Sequence, residues 1–424
     1  MLQYILLFAG SLSVCFAQNP KPADPQTSPI AIINATLHQG NGKVIEQATI
    51  LFDSGWIVGV GQDLNTTGYE VQDAAGKHVY PGMIMPSTNL GLEEISAVRP
   101  TMDVREVGSI TPNIRSQIAF NTDSEILPTY IFNGILIAQP TPQGGLIPGT
   151  SSIMMLDAWN WEDATLLKDD AVHIIWPAKS FGARWWRGET ERRPNNQYDE
   201  QVSQLLKVLG DAKTYGMSDG SPRNLKLEAL QGVYSGDKRV FVYTDRAGNI
   251  VHAVTQLKQV GIEQLVLVGG EDAFYVKDLL KQYEVPVILD EPHRMPSRVD
   301  DDYDMPFKLP GLLTKEGILV GLRHNDMLSR GRNLPYYAGT AAAYGMEKED
   351  ALKLVTSNTA KILGIDELVG TIEEGKMATF VICKGDLMDM GENVIEVAFI
   401  SGREISLGAK QQLLYERFKQ KYTE

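Results

Sequence analysis

Six short apolar runs recur through the middle of the chain, at 134–138 (GILIA), 172–176 (VHIIW), 240–243 (VFVY), 264–268 (QLVLV), 285–289 (VPVIL) and 317–322 (GILVGL). Each has the length of a buried strand, and helix-like stretches such as 250–260 and 273–282 separate several of them. Strands that alternate with helices lie parallel, with the helices covering the sheet, so the pattern predicts an α/β fold. The tract 81–366 has the length of a (β/α)8 barrel, typically ~250 residues.

The two ends of the chain read differently. At the amino-terminal side, 30–33, 49–52 and 56–61 are strand-like and separated by the turn signals Asn41-Gly42 and Asp53-Ser54-Gly55. At the far end, 378–382 and 394–405 again alternate short strands with turns. The expected fold class is therefore α/β, a (β/α)8 TIM-like barrel with a small composite β-sandwich domain built from both chain ends. The expected divisions are a polar, proline-rich linker at 18–28, a composite β domain from 29–80 and 367–408, the barrel at 81–366 and a C-terminal helix at 409–424.

Residues 1–17 form an apolar segment ending in the small Ala17, which reads as a secretory signal peptide too short to span a bilayer. Cleavage there predicts an exported protein, periplasmic or extracellular. Val14 before Cys15 is bulky for a lipoprotein site, and the mature chain would keep Cys383 as its one cysteine, with no internal disulfide. The formal net charge of −14 disfavours nucleic acid as a partner, since a polyanion would be repelled. The aromatic and basic patch 183–187, with Arg192 and Arg193, reads as a surface loop paired with nearby acids.

One stretch, 76–92 (GKHVYPGMIMPSTNLGL), is similar to the first barrel strand of the amidohydrolase superfamily, G-K-x-V-x-P-G-x-I-x-x-H-x-H-x-G. Near the end, 358–365 (NTAKILGI), 370–378 and Gly385-Asp386 follow the family's N-x-A-K-x-L-G-I … G-x-x-x-x-G-x-x-A … G-D order. With the acidic run 300–304, the resemblance spans 29–408 and points to the imidazolonepropionase-like branch. It implies a metal-dependent hydrolase of C–N bonds, with metal held by histidines on the first, fifth and sixth strands and an aspartate after the eighth.

The histidines of that pattern are replaced. Ser87 and Asn89 stand at the first-strand pair, Tyr243 and Asp245 at the fifth-strand pair and Gly269 at the sixth-strand position, while Asp326 is the candidate general base. Residues i and i+2 on a strand share a face, so Ser87 and Asn89 are expected together at the barrel mouth, offering neutral oxygens in place of imidazoles. A hydrolytic zinc needs about three protein ligands, so no metal cofactor is expected. The alternative is one divalent cation in an oxygen-rich site of Asp245, Asp326 and His293. His293, Arg246 and His324 are expected to form a ligand pocket, and histidine restored jointly at 87, 89, 243 and 269 is expected to recover zinc affinity.

The remaining histidines read as structural or solvated: His38 and His78 in the small domain, His173 in the core and His252 on a solvated helix face. The glycine-rich 143–152 reads as a loop at the barrel mouth. Two functions stay open. One is a non-catalytic protein that binds a ligand or supports a catalytically competent homologue or a second copy of itself. The other is a divergent hydrolase of amides, dipeptides or cyclic amides.

Overall fold

The computed structural model describes residues 21–183, 190–217, 220–296, 298, 301–325 and 327–423. The expected signal segment with Cys15, most of the basic patch at 184–187 and the candidate base Asp326 lie outside the described residues. In chain order the strands are β1 (Ile30–His38), β2 (Val44–Asp53), β3 (Trp56–Gly61), β4 (Glu70–Asp73), β5 (His78–Pro81), β6 (Met83–Thr88), β7 (Ile135–Pro140), β8 (Gly149–Thr150), β9 (Ile153–Met155) and β10 (Thr165–Leu167). They continue as β11 (Ala171–Ile175), β12 (Ser180–Phe181), β13 (Arg193–Pro194), β14 (Arg239–Thr244), β15 (Leu265–Gly269), β16 (Val287–Leu289), β17 (Val320–Leu322), β18 (Phe380–Cys383), β19 (Ile395–Ile400) and β20 (Arg403–Glu404). No helix among the described residues is long and apolar enough to cross a membrane.

Both ends of the chain contribute to one eight-stranded sheet, in the order β20-β19-β18-β5-β1-β2-β3 with β4 against β1. The β2–β3 hairpin turns on Ser54 and Gly55, both at positive φ, as a two-residue loop whose twist matches its strands requires. A Cβ on Gly55 would lie 2.9 Å from the Ser401 carbonyl oxygen, so the turn tolerates no side chain there. β2 and β18 are three steps apart in the sheet, which in a flat sheet means about 14 Å. Yet the rings of Phe52 and Phe380 lie 5.5 Å apart, and those of Phe52 and Phe399 5.2 Å apart. The sheet therefore curls over its own apolar face, and the bond from Ile57 N to Lys376 O ties its β3 edge to the segment before β18. The core of this unit is Ile32, Leu37, Ile50, Phe52, Phe380 and Phe399, all fully buried.

In the middle tract, β11, β14, β15, β16 and β17 run parallel in that spatial order, and β6 runs parallel to β7. The ladders do not close into the expected eight-stranded barrel. Between β7 and β11 the chain runs the wrong way: 153–155 pairs antiparallel with β7 and 149–150 antiparallel with β11. On the other side, single bonds from Ile84 N to Val355 O and from Leu322 N to Leu354 O bridge β6 and β17 without a ladder. The result is a mixed α/β unit in four- and six-stranded pieces. Its inner apolar residues, Ile84, Ile137, Phe241, Val266, Val268 and Ile288, form one cluster, and amphipathic helices such as Tyr198–Gly216 and Ala247–Gln259 bury one face each against the outside.

Candidate functional site

Parallel strands present their carboxyl ends together, and there a cavity of about 580 Å³ opens. Its lining includes Lys179, Arg192, Tyr243, Asp245, Gly269 and Arg323. Beneath it lies a chain of three side chains. Tyr243 donates its phenolic proton to Ser87 Oγ at 3.0 Å, and its oxygen is 2.7 Å from His173 Nδ1. A phenol has one proton, so His173 carries hydrogen on Nδ1, and its buried Nε2 is an acceptor without a partner among the described residues. Burial, with Arg323 adding to it, pulls His173 down to about 3, and burial pushes Tyr243 up to about 12. The phenol keeps its proton at physiological pH, and an imidazole lowered this far is too weak a base to take a second one, so neither serves as a base for Ser87.

Arg323, 6% exposed, lies across this chain. Its Nε donates to Asp290 Oδ1 at 2.6 Å, its Nη1 donates to the Ser87 carbonyl at 3.3 Å, and the guanidinium carbon sits 5.1 Å from the Tyr243 ring centre. Burial works against its charge, but Asp290, Tyr243 and Asp245 outweigh it and its affinity for the proton rises. Asp245 faces the same space. Burial first, then the like charges of Asp290 and Glu271, push its carboxyl up to about 6, and its buried Oδ1 has no hydrogen-bond partner among the described residues. A Cβ on Gly269 would lie 2.4 Å from that oxygen, so the aspartate at 245 takes this place only with a glycine at 269. In the lining, Arg246 pairs with Glu271 at 3.0 Å; outside it, Arg294 also holds Glu271, and Arg298 holds Asp272 at 2.9 Å.

The structure brings together Ser87, Tyr243, Asp245 and Gly269 but moves the other expected site residues elsewhere. Ser87 has φ +49°, which breaks the strand alternation, and β6 ends at Thr88. Asn89 consequently does not share a face with Ser87, and its side chain donates to Glu93. His293 is exposed and held by Thr340 Oγ1 at 2.6 Å, away from the cavity. His324 is buried the other way, donating through Nε2 to Met327 O at 2.9 Å and accepting at Nδ1 from Tyr337. Of the expected pocket trio, Arg246 alone lines the cavity. His252, expected in solvent, is half-buried, 2.7 Å from the Tyr198 hydroxyl and edge-on to Trp176. His38 and His78 bond to each other and stack on Tyr80.

Sequence reasoning missed Arg323 and Asp290. Each directly follows a strand end, β17 and β16, and that placement was the available signal. The donors present do not suit zinc. The aligned positions offer a hydroxyl already bonded to a phenol, a carboxyl and a glycine, and no three His, Cys, Asp or Glu side chains among the described residues converge as a metal site. A guanidinium beside them would repel a second cation. Nor would joint histidine restoration rebuild the site, because position 269 has φ +91° and abuts Asp245, and position 89 points elsewhere.

Residues 309–405 match the amidohydrolase family. No curated protein matches the chain. Among solved structures, an amidohydrolase from Thermotoga maritima MSB8 is similar with a TM-score of 0.78 at 22% identity, covering 88% of this chain and 99% of its own. A putative prolidase from Bifidobacterium longum is similar with a TM-score of 0.55 at 14% identity, covering 93% and 100%. An ochratoxinase from A. niger gives 0.54 at 11%, covering 89% and 95%. At these identities the likeness is one of fold, so the chain has an amidohydrolase-like α/β fold and carries an amidohydrolase-family region that includes Arg323 but neither Ser87 nor Tyr243.

Proposed function

We propose that this chain is an exported, metal-independent binding protein on an amidohydrolase fold, whose cavity takes a small polar molecule. The observation that carries the reading is the Tyr243–Ser87 bond: side chains at two aligned ligand positions satisfy each other across the strand ends, and among the described residues no donors converge on an ion. Charge supports an acidic ligand. Lys179, Arg192, Arg246 and Arg323 line the cavity against the carboxylates Asp245, Glu271 and Asp290, in a chain whose formal net charge is −14. The neighbour named as a putative prolidase supports ligands with dipeptide character.

Asp245 favours a second reading. A carboxyl near 6 in a cavity is suited to proton transfer, so a metal-free hydrolase of amides or dipeptides with Asp245 as its acid–base group is the alternative. Incubation of the purified chain with amide and Xaa-Pro dipeptide panels, with and without chelator, tests both. No turnover is expected. Hydrolysis that survives chelator and is lost in Asp245→Asn would establish the alternative, and chelator-sensitive hydrolysis would sink both. Export is checked separately by N-terminal sequencing, where a periplasmic or secreted form still beginning at Met1 would refute cleavage after Ala17.

A further inference from the structure

We propose that Arg323 is the resident cation of this site, a guanidinium fixed by Asp290 in the space on which the β6 and β14 positions face, and that its charge keeps a divalent ion out. The inference rests on the metal-independent reading above and says what replaced the ion. Three observations meet on one side chain. Arg323 bonds the backbone oxygen of Ser87 and lies over the ring of Tyr243, so it touches both aligned strand-end positions. Its ion pair with Asp290 joins a buried guanidinium to a half-buried carboxylate, with side-chain exposures of 7% and 18%. Asp245, directly after β14 and so at the same strand end as Tyr243, lines the same cavity, and its Oδ1 has no hydrogen-bond partner among the described residues.

A planar guanidinium suits this place because it offers several N–H donors in one plane and remains charged when buried. It satisfies a carboxylate and a carbonyl at once while its flat face covers the phenol ring. Without it, Asp290 would be a half-buried anion near a second carboxyl with no cation paired to it and the amide of Asn325 as a remaining donor, an arrangement costly to keep charged. Two carboxylates and a backbone carbonyl are oxygen donors of the kind that hard divalent cations accept at modest affinity. Removing the charge on Arg323 is therefore expected to convert a site that rejects cations into one that admits them.

The test uses the full purified chain and its Arg323→Gln variant, with thermal melts in the presence and absence of millimolar Mn²⁺. Wild type is expected to show no Mn²⁺ shift. Arg323→Gln is expected to melt several degrees lower and to regain at least half of that loss when Mn²⁺ is added. Adding Asp290→Asn to Arg323→Gln removes the carboxylate the ion needs, so the double variant should melt above the single one and ignore Mn²⁺. If Arg323→Gln does not fold, a folded double variant supports the proposal, since it shows that the unpaired Asp290 was the cause, and an unfolded double variant overturns it. A folded Arg323→Gln with no Mn²⁺ shift, or a wild type that responds equally, also overturns it. A wild type that carries stoichiometric, chelator-removable metal would instead sink the underlying reading, so the two failures are distinguishable.

Discussion

In the sheet built from the chain ends, Phe52, Phe380 and Phe399 are fully buried rings that pack on one another, and their burial asks only for period-two alternation and a tight turn at Ser54-Gly55. At the strand-end cavity the buried groups are polar and each depends on a particular neighbour: Tyr243 on Ser87 and His173, Arg323 on Asp290, Asp245 on the missing side chain at 269. The first region is held by apolar area, which is tolerant of detail, and the second by partners that must all be present. Substitutions should therefore cost stability in the sheet without touching the cavity, and should propagate between residues at the cavity.

The largest expected effect is in the sheet. Phe52→Ala should lose about 3–5 kcal/mol, read by denaturant unfolding, because a fully buried ring leaves a cavity. Ligand binding in the strand-end cavity should be unchanged, and a coupled loss of binding would break the separation of the two regions. Next comes Gly269→His, which meets both a positive φ and the Asp245 oxygen. A strained backbone at ~1–3 kcal/mol and overpacking at ~1–3 kcal/mol give a loss of about 3 kcal/mol, and combining it with Asp245→Ala should recover part of it. Strict additivity in that double variant would contradict the dependence of 245 on 269.

Acid behaviour sharpens the comparison at a buried carboxyl below the cavity. Asp170, just before β11, is pushed up to about 6 by burial, against the opposing bonds from Ser151 and Gln139. A raised carboxyl favours the folded state fully below its unfolded value of 3.8, and that stability is lost as pH rises through 6. Between pH 4 and 6 wild type should lose about 2–3 kcal/mol relative to Asp170→Asn. A parallel pair of pH profiles would show that Asp170 is not so perturbed. The smallest effect is Tyr243→Phe, which removes the bonds to Ser87 and His173 at a net cost of about 1–2 kcal/mol, checked by the same unfolding measurement.

The α/β class and the strand-rich ends were legible because alternation and turn residues act locally, as at Asp53-Ser54-Gly55. The reversed segment at 149–155 was not, because β8 and β9 are two and three residues long and carry no periodic pattern. Tyr243, Asp245 and Gly269 were singled out through the resemblance of their segments to the family's fifth and sixth strands, whereas Asn89 was misplaced because spacing alone does not reveal the left-handed φ at Ser87. Arg323 was invisible for a different reason. Its role comes from Asp290, Ser87 and Tyr243, which lie on three other strand ends and meet only in the fold.

Elemental analysis of the purified, zinc-supplemented full chain after dialysis tests the central claim most directly. The Tyr243–Ser87 bond and the buried guanidinium of Arg323 predict zinc, manganese and iron each far below one ion per chain. One tightly held ion per chain, lost on substitution of Asp245 or Asp290, would contradict the account.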